Sequence, residues 1–136
     1  MKTKKYILLF LFVVFCFTTC KKYPDDVKSP HLQKPEKRIG GPWSIKKVFN
    51  YVNNTTIPLS PCSGNDVVTF SSEDFDGEFI YMNYKGTWEL IDKKDKLKII
   101  DENNNDHIYI ILQLEKNILV LQDDSLKYTF GEYCGP

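Results

Sequence analysis

Two imidazoles, four cysteines and 18 carboxylate side chains are the groups of this chain with the chemistry to act on a substrate. Nucleophilic catalysis needs a nucleophile, a base within hydrogen-bond reach and a group that orients the base. His31 lies among prolines and charged residues, and His107 stands alone at a turn-to-strand boundary. No Gly-x-Ser-x-Gly elbow and no phosphate-cradling glycine loop occurs. Two carboxylates flanking a bond can hydrolyse it, so a carboxylate-based hydrolase is the third reading, although no pair stands out. Asp101-x-Asn103-x-Asn105-Asp106 has the oxygen spacing of a calcium loop, but it lacks the glycine at the sixth place and carries Leu112 where a bidentate Glu belongs. It reads as an Asn-rich hairpin turn. The cysteines and histidines lack metal-ligand spacing. The expectation is a protein without catalytic residues, metal or cofactor, and not an enzyme.

The N-terminus has three short blocks: Lys2, Lys4 and Lys5, an apolar run from Tyr6 to Phe17, then Thr18, Thr19 and Cys20. The run fits a secretory signal and falls short of the roughly 20 residues of a membrane-spanning helix. Small residues before a cysteine at this place resemble the lipobox of bacterial lipoproteins. Residues 1–19 are then a signal peptide. Cys20 is the first mature residue and carries the lipid, palmitate included. That places the protein in the cell envelope, lipid-anchored to the outer membrane on its periplasmic or surface face. Cys16 leaves with the signal. Cys62 and Cys134 remain in a compartment that permits disulfides, and a bond closing so long a loop contributes roughly 4 kcal/mol.

The formal charge of zero hides an uneven distribution. Residues 21–38 hold six basic and three acidic side chains, and residues 39–136 hold nine basic and 15 acidic ones. An acidic domain repels phosphate backbones, so nucleic acid is no partner. Pro24, Pro30, Pro35 and Pro42 punctuate a polar stretch that reads as a lipidated flexible tether over 20–42. Its lysines suit anionic head groups as well as they suit a plain solvated linker.

Residues 43–136 form the folded domain. Their dominant signal is period two, in short segments divided by turn residues. In His107–Glu115 the rule sends Ile108, Ile110, Leu112 and Leu114 one way and Tyr109 the other, with Ile111 breaking the polar face. Leu119 and Leu121, Tyr128 and Phe130, Leu97 and Ile99, Trp88 and Leu90, Phe79 and Tyr81, and Val68 and Phe70 alternate likewise. Trp43, Ile45, Phe49 and Tyr51 share a face in the first strand, interrupted by Lys47, and a helix fits that segment weakly. About eight strands with short links make antiparallel neighbours. They close into an up-and-down barrel, which removes exposed edges. The alternative is a two-sheet β-sandwich, with residues 53–66 as its crossing connection.

Gly41-Pro42-Trp43 at the opening, Pro61-Cys62, Asp66-Val67-Val68-Thr69-Phe70, Gly86-Thr87-Trp88-Glu89-Leu90 and Tyr109-Ile110-Ile111-Leu112 follow one another in a familiar order. The series resembles the lipocalin-like lipoproteins of Bacteroidetes from 41 to 134. The resemblance implies a membrane-tethered all-β barrel without assigned activity. Trp43, Phe70, Phe79, Tyr81, Trp88, Ile110, Leu112 and Tyr128 are the candidate pocket or core residues. Their rings either line a small apolar pocket or fill the barrel solidly. The leading function is a non-enzymatic binder of a small apolar ligand or an envelope protein, and the alternative is a structural lipoprotein with a solid barrel. Asp124-Ser125-Leu126 resembles the short O-glycosylation acceptor of the same phylum, making Ser125 a candidate site.

Overall fold

The computed structural model describes residues 22–27, 33–59, 67–71, 76–81 and 84–133. The signal peptide, Cys20, Cys62, Cys134 and the side chains of Phe79 and Tyr81 lie outside them. The described chain is all-β apart from one short helix, α1 (Pro35–Ile39), and a 3-10 turn over Asp92–Lys94. Nine strands follow: β1 (Gly41–Asn50), β2 (Thr55–Pro58), β3 (Val67–Phe70), β4 (Asp76–Tyr81), β5 (Tyr84–Ile91), β6 (Lys96–Asp101), β7 (Asp106–Glu115), β8 (Ile118–Gln122) and β9 (Leu126–Glu132).

Every pairing is antiparallel between chain neighbours from β3 to β9, and β9 then returns to β1 from Trp43↔Glu132 to Asn50↔Leu126. The other edge of β1 is shared. Gly41–Ser44 takes β3 and Lys47–Asn50 takes β2. One ladder therefore comes back on itself through the first half of β1. Along the second half β2 is the outer strand, and its far edge has no strand partner among the described residues. The segment read as a sandwich crossover thus contributes β2 to the same sheet, and residues 41–50 are strand and not helix.

Up-and-down order fixes two ends. One end holds the start of β1, the end of β9 and the β3–β4, β5–β6 and β7–β8 turns. The opposite end holds the β1–β2, β4–β5, β6–β7 and β8–β9 turns. The first end is solid. Trp43, Phe70, Trp88, Leu97, Ile111, Leu114 and Leu119 are each under 5% exposed. Phe70 meets Trp88 edge to face at 5.8 Å. Both indoles are satisfied, which buried polar groups require: Trp43 Nε1 donates to Ile39 O at 2.8 Å and Trp88 Nε1 to Ser71 O at 2.9 Å.

Two β-bulges correct the period-two reading. Ile111 pairs with Leu121 but Gln113 with Val120, so Leu112 is an extra residue. A single insertion inverts the phase of everything before it. Tyr109 and Ile111 therefore point inward with Leu114, while Ile108 and Ile110 are 49% and 44% exposed. Ile110 is not a core residue, and half-buried Leu112 sits in the bulge itself. A second bulge falls between Ile45 and Lys47. Past it Val48 turns to the core, and Phe49 and Tyr51 reach the outer wall.

Residues 22–27 and 33–42 are not a tether as far as they are described. Tyr23, Asp26, Glu36, Arg38 and Ile39 are all under 9% exposed and cap the solid end. The leftover apolar side chains, Tyr23 and Ile39, join the core cluster. Charge pairing covers the rest: Arg38 Nη2 lies 3.8 Å from Asp26 Oδ2, and Lys94 pairs with Glu36. Leu114 N donates to Asp26 Oδ1 at 2.8 Å, and Asp25 N donates to the carbonyl of the bulged Leu112 at 2.8 Å.

Candidate functional site

Above the solid layer the barrel is hollow. Ile45 from β1, Val68 and Phe70 from β3, Ile99 from β6, Tyr109 from β7, Leu121 from β8, and Tyr128 and Phe130 from β9 line a cavity of ≈ 190 Å³. Inward alternation on six strands supplies these side chains. Tyr109 and Tyr128 meet edge to face at 5.8 Å, and Tyr128 stacks on Phe130 at 6.4 Å. Tyr128 Oη donates to Asp123 Oδ2 at 3.4 Å in the β8–β9 turn, which ties the tyrosine pair to the open end. Burial first, and the Asp123 charge second, push the Tyr109 phenol above its ordinary range. It stays protonated at neutral pH.

Among the described residues the lining is aliphatic and aromatic, with phenols as its polar groups. No described residue of the lining contributes a carboxylate, imidazole or thiol. Such a surface gains by excluding water from apolar matter. Of the residues proposed from sequence, Phe70 and Tyr128 line the cavity. Trp43 and Trp88 lie in the layer beneath it, and Ile110 faces outward. The sequence reading placed Val68, Ile99, Leu121 and Phe130 on inner faces without assigning them to a pocket. It placed Tyr109 on the wrong face, and the one available sign was Ile111, the residue that broke the expected alternation.

The outer wall carries a larger and more polar depression of ≈ 530 Å³, where Phe49, Tyr51 and Val120 lie between Lys47, Lys127 and Asp25. Ser125 is exposed in the β8–β9 turn at the open end. The calcium-like stretch is a turn held by its own carboxylate. Asp101 Oδ1 accepts from Asn103 N at 2.8 Å and Asn105 N at 2.9 Å, and His107 Nε2 lies 3.3 Å from Asp101 Oδ2. Among the described residues no three His, Cys, Asp or Glu side chains gather as a metal site.

The bonds from Asn105, backbone first and side chain second, hold Asp101 down to about 2 against an ordinary 3.8. A carboxylate depressed in the folded state stabilises the turn above its unfolded value, and that contribution is lost as pH falls toward the folded one. The Asn103 and Asn105 amide resonances are therefore expected to titrate with a midpoint about 2. A midpoint at the ordinary Asp value contradicts the carboxylate-held turn.

No protein-family model matches the chain, and no curated protein matches it. Solved structures do. A lipocalin-like protein from Bacteroides uniformis superposes with a TM-score of 0.52 at 14% identity, covering 71% of this chain and 99% of that one. An uncharacterised protein from Bacteroides eggerthii superposes with a TM-score of 0.51 at 12% identity, covering 69% and 98%. At these identities the likeness is one of fold, and the fold is lipocalin-like.

Proposed function

We propose that this protein is a lipid-anchored, non-enzymatic envelope protein whose lipocalin-like barrel holds a small apolar ligand. The apolar cavity at the open end carries the reading. An engineered apolar cavity of about 150 Å³ takes up benzene, so ≈ 190 Å³ suits a single aromatic ring or the end of an alkyl chain. It is smaller than the roughly 300–1,000 Å³ of a drug-sized site. Cys20, acylated after removal of residues 1–19, supplies the anchor, and a Cys62–Cys134 disulfide ties the loop before β3 to the C-terminus. The buried carboxylates Asp26 and Glu36 pair with Arg38 and Lys94 at the capped end, away from the cavity, which speaks against the hydrolase reading.

Toluene and indole are expected to bind the unacylated protein in saturation-transfer NMR. Val68→Phe, which fills the cavity from a residue 4% exposed, is expected to weaken binding by about tenfold or more, ~1.4 kcal/mol, while keeping the fold. No binding by the native protein, or equal binding by both, favours the solid-barrel structural lipoprotein.

A further inference from the structure

The cap has a consequence for how the protein stands on a membrane, and it rests on the lipid-anchor reading above. Lys22 follows Cys20 by two residues, a stretch that spans at most about 7 Å. Lys22 is itself fixed. Its ammonium donates to Lys93 O at 2.7 Å and pairs with Asp95 Oδ1 at 2.6 Å. Tyr23 is 1% exposed, and its hydroxyl donates to Lys94 O at 2.9 Å. Both acceptors belong to the β5–β6 turn of the solid end. We infer that the anchored protein rests with this end on the lipid surface, the β5–β6 turn at headgroup level and the cavity mouth turned away from the bilayer.

The turn is built around the incoming chain. Asp92, Lys93 and Lys94 run consecutively through left-handed backbone at φ 50, 58 and 72°. That conformation is strained for a non-glycine residue. The carbonyls it presents are those that Lys22 and Tyr23 bind. Strap and turn thus form one unit, and in sequence only Lys21 stands between Cys20 and Lys22. Lys93 is exposed at the tip of this turn, and Lys37 and Lys116 are exposed on the same end, where ammonium groups meet anionic lipid. A mouth facing away loads from the aqueous phase or from another protein, and not from the leaflet that holds the anchor.

The test uses the full acylated protein in vesicles of phosphatidylglycerol and phosphatidylcholine, with lysine acetylation read by mass spectrometry. Lys93, Lys37 and Lys116 are expected to react several-fold more slowly than in unacylated Cys20→Ser protein, while Lys85, at the opposite end, reacts equally in both. Vesicle flotation reads the anchor separately. A protein that floats but leaves Lys93 as reactive as Lys85 overturns the orientation and keeps the anchor. A protein that does not float overturns the anchor itself. A Gly/Ser spacer inserted between Cys20 and Lys21 should preserve flotation and restore Lys93 reactivity. Continued protection with the spacer refutes a strap-set orientation, because the end then adsorbs by itself.

Discussion

Replacing Tyr109 with Asp is expected to destabilise the protein by roughly 3 kcal/mol or more, whereas Ile110→Asp, one residue along, costs about 1 kcal/mol or less. Tyr109 packs against the core cluster and lines the cavity against Tyr128. Aspartate there abandons that ring contact and places a charge among Ile45, Leu121 and Phe130, where nothing pairs with it. Ile110 is 44% exposed and stands across from Lys96 and Gln122 in its neighbouring strands. A carboxylate there meets water and a cross-strand ammonium, an arrangement that is mildly favourable. Urea unfolding of both variants beside the native protein measures the difference. If Ile110→Asp is the more damaging, Leu112 is not a bulge and β7 presents its other face to the core.

The same residues show how much of the molecule was legible in the sequence. Period two found eight of the nine strands and their antiparallel order, because short turns leave few other neighbours to choose, and it missed only β2. It assigned the inner faces of β3, β6, β8 and β9, where no bulge intervenes: Val68, Leu97, Ile99, Leu119 and Leu121 are all buried. It failed in β1 and β7, where one inserted residue inverts the phase. Each failure left a mark in the sequence, Lys47 in one strand and Ile111 in the other, each sitting on the wrong face of an otherwise regular alternation. A five-residue apolar run such as Ile108–Leu112 has no phase of its own, and the strand that pairs with it decides which members turn inward. The cavity was legible only as a surplus of rings. Its location depends on Tyr109, and so on the bulge.

The cap was not legible, and its removal is the second large effect. Composition argues that a proline-punctuated, charged stretch cannot bury itself, and by apolar content that argument holds. What it omits is that Asp26 and Arg38 neutralise one another at the barrel end, with Asp26 0% and Arg38 8% exposed. Burial pushes the Arg38 guanidinium below its ordinary range, and Asp26 is the leading charge that opposes the shift. Asp26→Ala leaves that guanidinium buried opposite an apolar methyl and deprives the Leu114 amide of its acceptor. The expected loss is about 3–5 kcal/mol, the range for breaking one side of a buried pair. The double variant Asp26→Ala/Arg38→Met removes both charges and should recover a substantial part of it, since an apolar side chain of similar length fills the same space without a desolvation cost. Thermal and urea unfolding of the native, single and double variants separate the two origins of the loss. A single variant as stable as the native protein would show that residues 22–27 hang free of the barrel. Both the cap and the membrane orientation drawn from it would then fail, while the cavity and its ligand would stand untouched.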